Sequence, residues 1–182
     1  MTAVVAYSDG TKVWLAGDSF CGDESKKDIC EASKVYQIGK LGIGICGYVR
    51  QELILESILR SINPSDFSDE WLRFVLPDIL HDTMKAKGAV VDREGQSTFG
   101  NSHYILALSG KLYYLESDFG VWEVKKNVAA IGAGREYTLG ALSAMPKSLK
   151  EDPAKALVKS LKIASEWSPW VVGPYTVIEV EE

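Results

Sequence analysis

Thr2-Ala3-Val4-Val5-Ala6-Tyr7-Ser8-Asp9-Gly10-Thr11-Lys12-Val13-Trp14-Leu15-Ala16-Gly17-Asp18-Ser19 opens the chain, and the rest is read outward from it. Residues 2–7 are rich in Ala and Val and read as a strand. Ser8-Asp9-Gly10 joins side-chain acceptors to a residue free to take positive φ, which is a turn signal. Residues 12–17 alternate into a second strand, so a hairpin comes first.

Beyond that hairpin, residues 21–32 are polar and read as a loop. Residues 33–38 and 41–46 read as two strands around a tight turn at Gly39-Lys40, and Gly47 ends the second. Residues 50–62 have helical periodicity, with Leu53, Leu55, Ile58 and Leu59 grouped on one side. Asn63-Pro64-Ser65 breaks that helix. A second is expected over 69–85, with Trp71, Phe74, Val75, Ile79 and Leu80 as its apolar positions. Residues 88–101 suit a loop or a short hairpin. Strands follow at 102–109, 111–116, 120–124 and 127–131, the last running into Gly132-Ala133-Gly134. Helices are expected at 136–144 and 152–166, with Pro153 at a helix start, and a final strand at 175–180. Paired helices between blocks of strands do not give the alternation of a doubly wound sheet. The expected fold is α+β, a four-layer αββα sandwich in one domain spanning 1–182, or 2–182 once Met1 is removed.

Composition narrows the functional classes. The 182 residues are 46% apolar and 25% charged, the balance of a globular protein. A net charge of −5 with scattered lysines argues against a nucleic-acid partner. No apolar run is long enough to span a membrane, and no basic segment precedes an apolar one as in a secretory signal. Three cysteines, Cys21, Cys30 and Cys46, do not make a disulfide framework, so a reducing cytoplasm is the simpler expectation. Cys21 and Cys30 read as ordinary thiols, and Cys46 as core or cleft wall. The two histidines, His81 and His103, are too few for a multi-histidine metal site.

Thr2, Asp18 and Lys34 carry the chemistry. A threonine hydroxyl is a weak nucleophile until a base takes its proton. A terminal threonine holds a candidate base in its own α-amine, whose reference pKa of about 7.7–8.0 leaves a useful neutral fraction. A nearby ammonium favours the neutral amine, and a carboxylate can hold that ammonium in place. Lys34 and Asp18 suit those two tasks. Taken singly, each has a plainer reading: a terminal residue, a turn-former and a solvated lysine.

Together, Thr2-Ala3-Val4-Val5, Leu15-Ala16-Gly17-Asp18-Ser19 and Ser33-Lys34-Val35 resemble the proteasome β-subunit and HslV-type peptidase superfamily of N-terminal nucleophile (Ntn) hydrolases. Asp18 and Lys34 stand 16 and 32 residues after Thr2, as in that family's pattern. Gly42-Ile43-Gly44-Ile45-Cys46-Gly47, Ala130-Ile131-Gly132-Ala133-Gly134 and Gly173-Pro174-Tyr175-Thr176-Val177-Ile178 extend the resemblance over most of the chain. The resemblance implies that Thr2, freed by removal of Met1, is the nucleophile and its α-amine the general base. Asp18 and Lys34 would tune that amine, with Ser19 supporting them, and the Gly47 N–H would donate to the oxyanion. It further implies amide hydrolysis without metal or organic cofactor, acting on unfolded polypeptide or peptides inside a homo-oligomeric ring. An ATP-dependent unfoldase would be a separate chain, because no GxxxxGK[ST] motif occurs here.

Four positions depart from the family pattern. Ala133 stands where a serine usually separates two glycines, Ser168 where an aspartate precedes the last strand, and Val171 where a serine follows it. Gly22 replaces a hydroxyl residue beside the cleft. Each missing charge-assisted bond is worth about 1.5–3 kcal/mol, and about 1.4 kcal/mol is tenfold in rate. Three alternatives to an active peptidase therefore stay open: an inactive or weakly active ring subunit, an Ntn amidase acting on a small amide, and a binding module.

Overall fold

The computed structural model describes residues 2–22, 25–93 and 95–181. Its opening hairpin joins β1 (Ala3–Ser8) to β2 (Val13–Gly17), with Ala6 opposite Leu15. The Asp9 carboxylate closes the turn by accepting from the Thr11 and Lys12 N–H groups, each at 2.8 Å. Those donors, Lys12 first, hold the Asp9 carboxyl below its usual range. β12 (Val128–Gly132) pairs antiparallel with β1 and β13 (Thr176–Val180) with β2, so the first sheet runs β12-β1-β2-β13. All six residues of β1 are buried. Both its faces are covered, and its sequence is accordingly a continuous apolar run.

The second sheet contains β5 (Val35–Ile38), β6 (Leu41–Cys46), β9 (His103–Leu108), β10 (Lys111–Leu115) and β11 (Val121–Glu123), in the order β11-β10-β9-β6-β5. β6 lies directly over the first sheet, and its glycines permit that approach. A Cβ on Gly42 would fall 2.4 Å from Val180 Cγ2, and one on Gly44 2.6 Å from Val4 Cγ1. Val4, Leu15, Ile105, Ala107, Ile131 and Val180 fill the space between the sheets.

Each sheet's other face is covered by helices. α1 (Val49–Ser61) and α2 (Leu76–Ala86) pack Leu55, Leu59, Leu76 and Leu80 against Ile43, Tyr104 and Leu106. α3 (Arg135–Ser143), α4 (Pro146–Glu151) and α5 (Pro153–Trp167) pack Leu142, Leu149, Leu157 and Leu161 against Ala3, Val5 and Ala16. α5 begins where its cap dictates: the Asp152 carboxylate accepts from the Lys155 N–H at 3.1 Å, and Pro153 opens the first turn.

Several local expectations change. Residues 21–32 contain ordered structure: β3 (Phe20–Gly22) pairs with β4 (Lys27–Ile29), while Asp23 and Glu24 lie outside the described residues. Residues 88–101 form the hairpin alternative, β7 (Val91–Arg93) with β8 (Gln96–Thr98). α4 is an additional short helix. In α1 the buried stripe is Ile54, Leu55, Ile58 and Leu59, and Leu53 is 58% exposed on the far side. The second helix starts as a π-helical turn, Trp71–Val75, in which the Leu76 N–H donates to the Trp71 carbonyl. Pro77 has no N–H to offer the carbonyl four residues earlier, and the wider turn accommodates that loss. Leu72, Leu76, Leu80 and Met84 are buried, and Phe74 and Val75 face solvent. Of the expected apolar positions, Leu80 is buried, Trp71 and Ile79 pack half-buried against the same core, and Phe74 and Val75 lie on the wrong face.

Candidate active site

Thr2 immediately precedes β1, Asp18 immediately follows β2, and Lys34 immediately precedes β5. The β1–β2 register brings the first two to the same end of the hairpin, since the Asp18 N–H donates to the Ala3 carbonyl at 3.1 Å. Lys34 arrives from the other sheet. A Cβ on Gly17 would lie 3.3 Å from Lys34 Cβ, so the sheets approach closely at this corner. The Ile45 N–H fixes the Lys34 carbonyl at 3.0 Å.

The three side chains converge. Lys34 Nζ donates to Thr2 Oγ1 at 2.6 Å and to Asp18 Oδ1 at 2.8 Å, and also to the Phe20 carbonyl. Asp18 accepts further from the N–H groups of Ala3 at 3.0 Å and of Phe20 and Val172 at 3.1 Å. Thr2, Asp18 and Lys34 are all buried. An ion pair in such a place loses much hydration, and its geometry must recover it. Here three backbone donors fix the carboxylate while the ammonium has three acceptors, so its third hydrogen bond ends on the Thr2 hydroxyl. Fixed opposite charges beside a hydroxyl oxygen are suited to orienting it and to stabilising negative charge on it.

Thr2's backbone is also held: the Gly134 N–H donates to its carbonyl at 3.2 Å. Gly132 has φ +89°, and a Cβ there would sit 2.3 Å from the same carbonyl. Burial raises the thiol pKa of the adjacent Cys46.

A cavity of about 210 Å³ opens beside Thr2. Phe20, Cys21, Cys30, Lys34, Gly47 and Tyr48 are among its walls. Gly47 is exposed and has φ +142°. A side chain there would collide with Ser102, whose Oγ would be 2.2 Å from the added Cβ. Ser102 Oγ instead accepts the Tyr48 N–H at 2.9 Å. Glu52 also lines the cavity, and burial, then Glu56, push its carboxyl pKa up.

The supporting positions serve other bonds. Ser19 ties the hairpin end to the segment before β13: its N–H donates to the Val172 carbonyl at 2.8 Å and its hydroxyl to the Pro174 carbonyl. Ser168 follows α5; its N–H donates to the Ala164 carbonyl at 2.8 Å, and its Oγ accepts from the Trp170 N–H at 3.4 Å. Ala133 is half-buried between Gly132 and Gly134. Val171 packs where a Cβ on Gly134 would come within 2.7 Å of it. Met1, whose removal the expected chemistry requires, lies outside the described residues. Sequence reasoning did not anticipate the Phe20 carbonyl or the Val172 N–H, because backbone groups carry no residue-type signal. Cys30, Glu52 and Ser102 were likewise invisible as cavity walls, since folding alone brings them there.

This fold, with a buried Thr–Lys–Asp corner at the head of its first strand, is of the proteasome-like class. Thiobacillus denitrificans BPH superposes with a TM-score of 0.82 at 19% identity, covering 100% of this chain and 98% of that one. Eukaryotic HslV from Trypanosoma brucei gives a TM-score of 0.70 at 19% identity, with each chain covered in full (100% and 100%). No family model matches the sequence. An ATP-dependent protease subunit HslV from Campylobacter hominis is 31% identical over 178 residues, 91% of this chain and 88% of the relative. Another from Caldicellulosiruptor saccharolyticus is 26% identical over 185 residues, 98% of each chain. The chain belongs to the HslV family of proteasome-like proteins.

Proposed function

We propose that this protein is a threonine peptidase, active once Met1 has been removed, in a single domain built as a four-layer αββα sandwich. The observation that carries the reading is the buried contact of Lys34 Nζ with both Thr2 Oγ1 at 2.6 Å and Asp18 Oδ1 at 2.8 Å. Loss of Met1 turns the Thr2 amide nitrogen into an α-amine. That amine takes the hydroxyl proton as Thr2 Oγ1 attacks the peptide carbonyl. Lys34 lowers the cost of charge on the oxygen and favours the neutral amine. Asp18 holds the Lys34 ammonium in place. The Gly47 N–H donates to the oxyanion of the tetrahedral intermediate. The proton passes to the leaving amine, an ester on Thr2 remains, and water hydrolyses it. No step calls on a metal or organic cofactor.

Membership of the HslV family supports unfolded polypeptide as substrate, a homo-oligomeric ring, a separate ATP-dependent unfoldase and a cytoplasmic setting. Among the described residues no helix is long and apolar enough to cross a membrane. Leu53, Phe74 and Val75, exposed on the α1–α2 side, offer apolar surface for self-association.

Intact mass after purification reports Met1, and turnover of fluorogenic peptides by wild type and Thr2→Ala reports the nucleophile. Retained Met1, or equal rates for the two proteins, sinks the peptidase reading. A second reading, an inactive or weakly active ring subunit, draws on Ala133, which lacks a hydroxyl, and on Ser168, whose oxygen accepts from Trp170. A ring mass by light scattering with no turnover selects it. A dimer that cleaves only small amides selects an Ntn amidase instead.

A further inference from the structure

Cys21 and Cys30 are far better placed than their sequence separation implies. In the β3–β4 hairpin Phe20 faces Ile29 and Cys21 faces Asp28. The ladder continues one step, with the Cys30 N–H donating to the Ser19 carbonyl at 2.7 Å. Cys21 and Cys30 are thus diagonal neighbours on one face of the hairpin. The Cys30 sulfur is close enough to add to burial in raising the Cys21 thiol pKa. Both are partly exposed, and both line the cavity that contains Thr2 and Lys34. Cys46, by contrast, is buried.

We propose that Cys21 and Cys30 form a site of reversible dithiol–disulfide oxidation in the wall of the Thr2 cavity, closed by small-molecule disulfides such as oxidised glutathione. The thiolate of one cysteine attacks a sulfur of the reagent, breaks its S–S bond and releases one glutathione thiolate. The second cysteine's thiolate attacks the mixed disulfide and releases the other. The protein loses two electrons and two protons; the reagent gains both and leaves as two thiols. The bond staples β3 to β4 beside Phe20, whose carbonyl accepts from Lys34. Burial and the Cys30 sulfur push the Cys21 thiol pKa up, with Lys34 acting the other way, so closure needs time or mild alkali.

The test is oxidised glutathione titrated against the folded, reduced full-length chain, read by intact mass, non-reducing peptide mapping and amide hydrogen exchange. Expected are the loss of two hydrogen masses, a Cys21–Cys30 cross-linked peptide, and slower exchange over residues 19–30, all reversed by dithiothreitol. Cys46→Ser should still close the link. Cys21→Ser and Cys30→Ser should stop at a single glutathione adduct, with circular dichroism confirming that both fold. Stable glutathione adducts on the wild type, two thiols that remain free, or a link without slower exchange would overturn the proposal. The effect on catalysis rests on the peptidase reading. A 1 Å misplacement costs about a hundredfold, so with the Phe20 carbonyl tied to Lys34, hydrolysis should fall by up to about a hundredfold on oxidation. A reduced protein that hydrolyses nothing speaks against the peptidase reading alone, because mass and exchange still judge the link.

Discussion

The strand-built corner at Thr2 and the helix pair α1–α2 differ in how closely sequence pattern tracks structure. At the corner, the family resemblance and its spacing chose three residues that meet. Over the helices, the apolar pattern chose partly the wrong face. The difference is geometric. An antiparallel ladder joined by a tight turn has a discrete register, and a slip of one residue would turn every side chain to the other face. A helix rich in apolar residues offers several stripes at similar angles, and the partner surface selects among them. Leu72, Leu76, Leu80 and Met84 are fully buried, Trp71 and Ile79 pack half-buried beside them, and Phe74 and Val75 are left in solvent.

The sharpest way to break that contrast is at the corner. Thr2→Ala should lower peptide hydrolysis by at least about a thousandfold, because groups that act as one unit fail together. Steady-state turnover of a fluorogenic peptide checks it, and residual activity near wild type would remove Thr2 from the chemistry. Lys34→Met should strand the buried Asp18 carboxylate and cost about 3–5 kcal/mol in a denaturant titration. A much smaller loss would mean that the three backbone donors alone hold Asp18.

On the helical side, Leu55→Ala, at a fully buried position, should cost about 2–5 kcal/mol by chemical denaturation. Restoring a hydroxyl with Ala133→Ser should raise hydrolysis by roughly tenfold, equivalent to about 1.4 kcal/mol, if the supporting shell limits the rate. Unchanged turnover would show that Ala133 is not the limiting departure. The smallest effect belongs to Leu53→Ala, at 58% exposure, with about 0.5 kcal/mol or less in the isolated chain. A loss equal to that of Leu55→Ala would reverse the phase of α1.

The legible parts of the site share one property: they are side chains attached to strand ends. Thr2, Asp18 and Lys34 each flank a strand whose limits are marked by apolar runs and turn residues. The partners that complete the site are backbone groups, the Phe20 carbonyl and the N–H groups of Ala3, Phe20 and Val172. Any residue type supplies those atoms, so no spacing betrays them. The β3–β4 hairpin was hidden for a related reason. Its strands are three residues each and mostly exposed, too short for an alternating pattern to emerge.

By itself the sequence determined the order of the longer strands and helices, the opening hairpin and, through the family resemblance, the choice of Thr2, Asp18 and Lys34. Local turn chemistry and strand periodicity are encoded in neighbouring residues. Only tertiary structure decided which faces of α1 and α2 are buried, that Cys21 and Cys30 share a wall with Thr2, and that the Lys34 ammonium bridges hydroxyl and carboxylate. Those outcomes depend on two sheets closing on each other through Gly42 and Gly44. That long-range packing fixes distances between residues far apart in the chain, which local pattern does not specify.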